Sequence, residues 1–198
     1  MTNNIKNICV FASSSNHLES IYYKDARDLG LLIGQTGYNI VYGGSKLGMM
    51  YACANAVKET GGKIIGIMPE RLANMGCANP EDCNEFILTS GMRERKAMLD
   101  KKSDAVVAIA GGYGTLEELS ELIVQKQLGY SNKPIVILNT AGFYNKLIEF
   151  FETIINQNFA NPESRKLYYI AQTPIDAIEY IKNYQPEEID SKFVRAKF

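Results

Sequence analysis

The chain has 198 residues, 46% of them hydrophobic, and a formal net charge of -1, which is enough apolar material for one domain with a sizeable core. A balance this close to neutral argues against a polyanionic partner, and no basic stretch is dense enough for a nucleic-acid arm, so a small ligand is expected rather than a nucleic acid polymer. No run approaches the length of a membrane span, and the amino-terminal MTNNIKNICVFA enters an apolar run too early for a secretory signal, which reads as a cytoplasmic protein with no membrane partner.

Short β-rich runs alternate with amphipathic segments along the chain. Strands are predicted over residues 7–12, 39–42, 63–68, 85–89, 105–110, 134–138 and 168–170, with helices between them over 20–35, 47–60, 92–102, 115–128, 144–157 and 174–183. This alternation predicts an α/β fold, a single-domain Rossmann-like doubly wound parallel sheet flanked by helices, occupying residues 1–184. Residues 185–198 (QPEEIDSKFVRAKF) carry a proline and mixed charges and read as a tail, either mobile or packed on a partner subunit.

Four cysteines, Cys9, Cys53, Cys77 and Cys83, fit neither a zinc ribbon nor a disulfide framework, and His17 is the only histidine, so no metal site is expected. Cys9 falls in a predicted strand and Cys53 in a predicted helix, where a thiol acts as a small hydrophobe. Cys77 and Cys83 lie in a looser stretch, with nothing to support a redox role.

Ligands of doubly wound sheets bind at the carboxyl ends of the strands, so the segments following each strand are the places to look. Ser13, Ser14 and Ser15 follow the first strand and either donate to a nucleotide or simply form a turn. Gly43, Gly44 and Gly48 in YGGSKLG follow the second, and suit close approach of a ligand or a tight strand-to-helix turn; the Gly-Lys-Ser/Thr order of a Walker loop is absent. In SGMRERKAML, Arg95 is three residues from Met92 and Met98 and four from Leu99, on one apolar stripe. An arginine there either pairs its planar fork with a carboxylate or phosphate, or lays its stem on the core and snorkels to water. Lys96 is a candidate substrate contact near the same loops; in the snorkelling case it and Arg93 simply face solvent.

The most informative stretch is AGGYGTLEEL, residues 110–119. Gly111, Gly112 and Gly114 follow an apolar strand and let the backbone approach a ligand, and a helix starting near Thr115 offers free N-H groups and a positive dipole end to a phosphate. A dinucleotide fingerprint would need a third glycine where Glu117 stands. Thr115 and Glu118 have the T-x-x-E spacing of a capping box, a purely structural role. Alternatively Glu118 lies beside a ribose that becomes cationic in a transition state, where a carboxylate about 4 Å away contributes on the order of 4 kcal/mol at an effective dielectric near 20.

Taken in order, YGGSKLGMM, MRERKAML and AGGYGTLEEL resemble the signature of the LOG ("lonely guy") family, the cytokinin riboside 5'-monophosphate phosphoribohydrolases, long labelled possible lysine decarboxylases. The likeness runs from about Ile5 to beyond Lys133. The resemblance implies that Arg95 and Glu118 are catalytic, that Gly111, Gly112, Gly114 and Thr115 form the phosphate-binding loop, and that the protein is a homodimer with active sites near the subunit interface. Ala110, Arg93, Ser45 and Tyr51 depart from the family pattern, the last two at positions able to reshape the pocket.

The expected reaction is hydrolysis of the N-glycosidic bond of a purine nucleoside 5'-monophosphate such as AMP, with no metal or organic cofactor. Lys96, Gly43, Gly44 and Ser13 join the phosphate loop as expected substrate contacts. The rival reading is a non-catalytic nucleotide or cofactor carrier or sensor on the same fold. A decarboxylase would need pyridoxal phosphate on a lysine, and nothing around Lys46 or Lys96 signals a Schiff-base site.

Overall fold

In the computed structural model, which describes residues 5–187, seven strands alternate with helices. The chain runs β1 (Asn7–Phe11), α1 (Ser20–Gln35), β2 (Asn39–Tyr42), α2 (Gly48–Glu59), β3 (Ile64–Pro69), α3 (Glu70–Leu72), β4 (Glu85–Thr89), α4 (Met92–Lys102), β5 (Ala105–Ala108), α5 (Tyr113–Gln127), β6 (Ile135–Leu138), α6 (Asn145–Asn156), β7 (Tyr169–Ala171) and α7 (Pro174–Asn183). All strand pairs are parallel, in the order β4-β3-β2-β1-β5-β6-β7. The fold is the Rossmann-like doubly wound sheet that the alternation predicts. Of the predicted tail, residues 188–198 lie outside the described residues.

Both faces of the sheet are buried, which is why its central strands are near-continuous apolar runs rather than alternating ones. Ile8, Val10, Ile40, Val107 and Val136 face a core closed by Leu29 and Ile33 of α1, Val57 of α2 and Ile181 of α7. Cys9, Phe11, Val41, Val106 and Ile137 face the opposite core, closed by Leu99 of α4, Leu119 and Leu122 of α5 and Ile148 of α6. Strand order reverses between β1 and β5, whose register pairs Phe11 with Ala108. The chain therefore leaves these two neighbouring strands toward opposite faces, and a crevice opens between them.

The structure revises two expectations. The strand predicted over 105–110 ends at Ala108 and the following helix begins at Tyr113, two residues before Thr115. The looser stretch around Cys77 is ordered into α3, a π-helical turn (Ala73–Cys77) and a 3-10 turn (Pro80–Asp82). It straps the carboxyl end of β2, with Lys46 N donating to Cys77 O at 3.0 Å and Asn79 N donating to Gly44 O at 3.0 Å. Cys9 and Cys53 are fully buried, and desolvation pushes the Cys53 thiol up to about 12, which suits packing rather than reaction. No helix among the described residues is long and apolar enough to cross a membrane.

At the far end of α5, Lys126 is 3% exposed and its Nζ has no hydrogen-bond partner among the described residues, lying 4.9 Å over the ring of Tyr184. Desolvation lowers this amine to about 8 from 10.5. Between those values the unfolded chain holds a proton that the folded chain has released, so stability rises with pH there; below pH 8 the penalty is complete. Lys126→Met is expected to stabilise the protein at pH 7 by about 2–3 kcal/mol and to flatten that rise. Denaturant midpoints measured from pH 6 to 10.5 would check both effects, and an unchanged pH profile would contradict them.

Candidate active site

Helix α4 is mostly charged and buries only Arg95 and Leu99, one turn apart on the face turned to the sheet. Met92, expected on the same stripe, is exposed. An arginine on a buried face needs all of its donors directed at acceptors. Arg95 Nε donates to the carbonyl of Ile67 on β3 at 3.2 Å, and Nη1 donates to Glu118 Oε1 at 2.9 Å. The rest of the fork lies on Gly43, where an added Cβ would sit 2.4 Å from Nη2. Gly43 is thus glycine because the guanidinium occupies the space of its side chain.

Glu118 is 6% exposed and Arg95 8% exposed. Burial raises the Glu118 carboxyl above its ordinary value, with the neighbouring charge of Glu117 acting the same way, while Arg95 and Lys96 pull it back down. Replacing one member of such a buried pair leaves the other charge uncompensated, typically at a cost of about 3–5 kcal/mol.

The capping-box reading of Thr115 and Glu118 does not survive. The residue that caps α5 is Gly112, no side chain caps the helix, and the first helical bond runs from Leu116 N to Gly112 O at 3.1 Å. Thr115 lies inside the first turn, and Glu118 is turned toward α4. The Thr115 side chain packs on Gly111, where an added Cβ would meet Thr115 Oγ1 at 2.1 Å. Beyond this contact the loop is open: nothing lies within 4 Å of a Cβ built on Gly112 or Gly114. Since α5 starts early, the N-H of Tyr113, 93% exposed, joins those of Gly114 and Thr115 among the helix-end donors without intrahelical acceptors. Sequence reasoning missed Tyr113 because a tyrosine between two glycines reads as part of the turn.

The crevice between β1 and β5 holds a cleft of about 230 Å³, lined by Ser13, Leu18, Tyr22, Gly111, Gly112 and Phe143. Ser13 N donates to Ala110 O at 3.3 Å, linking the two diverging loops, while Ser13 Oγ accepts from Ser15 N at 3.1 Å. Ser13 is therefore both a turn former and a wall of the cleft. His17 is exposed on the same loop and is not part of that wall.

Besides Gly43, which lies under the Arg95 guanidinium, two more of the expected substrate contacts are occupied by protein. Gly44 is buried at φ 70, with Phe86 of β4 and Ile67 N of β3 at the position of its missing Cβ, so the close approach it permits is made by the sheet, while the strap bonds its carbonyl and bridges the neighbouring Ser45 to Ala78. Lys96 does not face solvent; its ammonium contacts Glu117 and lies 2.6 Å from Glu121 Oε2 on α5. Of the two family departures near the pocket, Ser45 is buried and its Oγ accepts from Leu47 N at 3.2 Å, and the Tyr51 hydroxyl donates to Asp82 Oδ2 at 3.4 Å. The Tyr51 hydroxyl thus helps to anchor the strap, whereas the Ser45 hydroxyl closes its own turn.

Residues 50–181 match the family model described as possible lysine decarboxylase. Two cytokinin riboside 5'-monophosphate phosphoribohydrolases of Arabidopsis thaliana are 36% and 37% identical to this chain over 181 residues, which is 91% of it and 79% and 84% of their own lengths. Among solved structures, the molybdenum cofactor binding protein from the phototrophic bacterium Rippkaea orientalis aligns with a TM-score of 0.69 at 25% identity, over 90% of this chain and 96% of that one. The chain belongs to the LOG family, that of the cytokinin riboside 5'-monophosphate phosphoribohydrolases, to which the motifs around Gly43, Arg95 and Glu118 already point.

Proposed function

We propose that this chain hydrolyses the N-glycosidic bond of a purine nucleoside 5'-monophosphate, releasing the free base and ribose 5-phosphate. The observation that carries the reading is a buried carboxylate, Glu118, held by Arg95 about one and a half turns from an open helix N-terminus. The backbone donors of Gly112, Tyr113, Gly114 and Thr115 hold the 5'-phosphate, and this remote grip positions the sugar. Glu118 stabilises cationic character at C1' and orients the attacking water. The C1'–N bond breaks with its electron pair leaving on the base, the water oxygen bonds to C1', and a proton is delivered to the departing base. Arg95 is a positioning residue that keeps Glu118 ionised and in place. The relatives are named for cytokinin riboside 5'-monophosphates, and AMP and its N6-isopentenyl derivative are the first substrates to test. A carrier or sensor remains the competing reading, since the fold is shared with a molybdenum cofactor binding protein.

We further propose a cytoplasmic homodimer. The free thiols of Cys9, Cys53, Cys77 and Cys83 suit a reducing compartment. Exposed Met92, Tyr113, Leu116 and Val124 on α4 and α5 supply an apolar surface beside the site.

Glu118→Gln, which keeps an acceptor for Arg95, is expected to lower kcat by roughly 100-fold or more with the fold intact. A variant that melts earlier yet cleaves AMP at the wild-type rate would remove Glu118 from the chemistry. Purified wild-type protein that binds mononucleotides and cleaves none would favour the carrier. Because burial raises the Glu118 carboxyl and the reaction uses its ionised form, kcat should fall with acid at a pH above the usual carboxylate range. A limb at an ordinary glutamate pKa would contradict this assignment. Sedimentation should show twice the chain mass of 22.1 kDa, reduced to a monomer by Leu116→Glu with Val124→Glu; a wild-type monomer would refute the dimer.

A further inference from the structure

Helix α5 carries Glu117, Glu118 and Glu121 within little more than one turn, and Glu117 and Glu121 stand in the i,i+4 relation at which like charges repel. The adjacent residues Arg95 and Lys96 on α4 divide these acids between them. Arg95 takes Glu118 alone, while the ammonium of Lys96 bridges Glu117 and Glu121. With its side chain 19% exposed, Lys96 is largely withdrawn from water at this bridge, and its strong partners leave no free ammonium aimed at the phosphate loop. A lysine recruited to bind substrate would be expected to present that charge to the cleft.

We propose that Lys96 is a positioning residue: by gathering Glu117 and Glu121 onto one ammonium, it holds two like charges off Glu118 and leaves that carboxylate to Arg95. The proposal rests on the reading of Glu118 as the carboxylate that acts on the sugar. Among the described residues, the charged and titratable groups around Glu118 are Arg95, Lys96 and Asp100 from α4, Glu117 and Glu121 from α5, the buried thiol of Cys9 from β1, and Lys133, which precedes β6 and is paired with Asp100. Of the cations, Lys133 is held by Asp100 at 2.6 Å, while Arg95 and Lys96 act on Glu118. Loss of Lys96 both removes one of these and releases two anions, so each consequence moves the Glu118 titration upward.

The test is the titration of Glu118 followed by carboxyl ¹³C NMR, which requires no turnover, beside pH profiles of AMP cleavage. In Lys96→Gln the Glu118 midpoint should rise by on the order of one pH unit. The acid limb of kcat should rise with it, while KM for AMP stays near the wild-type value, and Lys96→Arg should restore both midpoints. Glu121→Gln, which removes an anion instead, should move the midpoint down and serves if Lys96→Gln fails to fold. A Glu118 midpoint indifferent to these substitutions, or a KM raised tenfold at every pH with an unmoved limb, would overturn the proposal and return Lys96 to the substrate. If wild-type protein cleaves no mononucleotide while the NMR midpoint still shifts as described, it is the hydrolase reading that fails.

Discussion

A guanidinium and a carboxylate buried against a sheet are tolerable only when each answers the other, and the ion pair of Arg95 and Glu118 is where this protein concentrates that constraint. The pair spans α4 and α5, donates a second bond to the Ile67 carbonyl on β3, and requires a residue without a side chain at Gly43. Four separate segments of the chain are thereby set relative to one carboxylate. Apolar side chains of similar volume would often stabilise such a contact as well or better. What they could not provide is a buried anion held in a fixed place, which the proposed hydrolysis would use beside the sugar.

The second constraint is the reversal of strand order between β1 and β5. It opens a crevice at the carboxyl edge, and the end of β5 delivers the glycine turn and the N-terminus of α5 to that crevice. In the proposed complex, a phosphate at the helix end and the Glu118 carboxylate less than two turns away would repel each other. The helix dipole offsets the first charge and Arg95 the second, so the two anionic demands are met by separate partners. In the role proposed for Lys96, the surrounding acids Glu117 and Glu121 likewise have a partner of their own.

Much of this was legible in the sequence. Strands buried on both faces announce themselves as continuous apolar runs, and the boundaries of β2, β4, α1, α4 and α7 fall where the periodicity places them. Arg95 could be singled out because a charged side chain on an apolar stripe needs a partner, and Glu118 was among the candidates. The start of α5 was misplaced because Gly112 and Gly114 are poor helix formers, so local preference favours a turn that the packing of Thr115 on Gly111 overrides. Gly44 was expected to admit ligand; nothing local reveals that Phe86 of β4 and the backbone of β3 fill the space beside it, or that Asn79 bonds its carbonyl.

Residue order by itself determined the alternation of strands and helices, the parallel sheet that follows from it, and which side chains could carry the chemistry, since these depend on periodicity and on the properties of single residues. Which of those side chains meet was decided only by tertiary structure. Lys96 and Arg95 are neighbours in the chain with similar charge, yet one bridges two partly exposed glutamates and the other is sealed against Glu118. That division depends on how α4 lies across α5 and the end of β3, a long-range packing arrangement that no local spacing encodes.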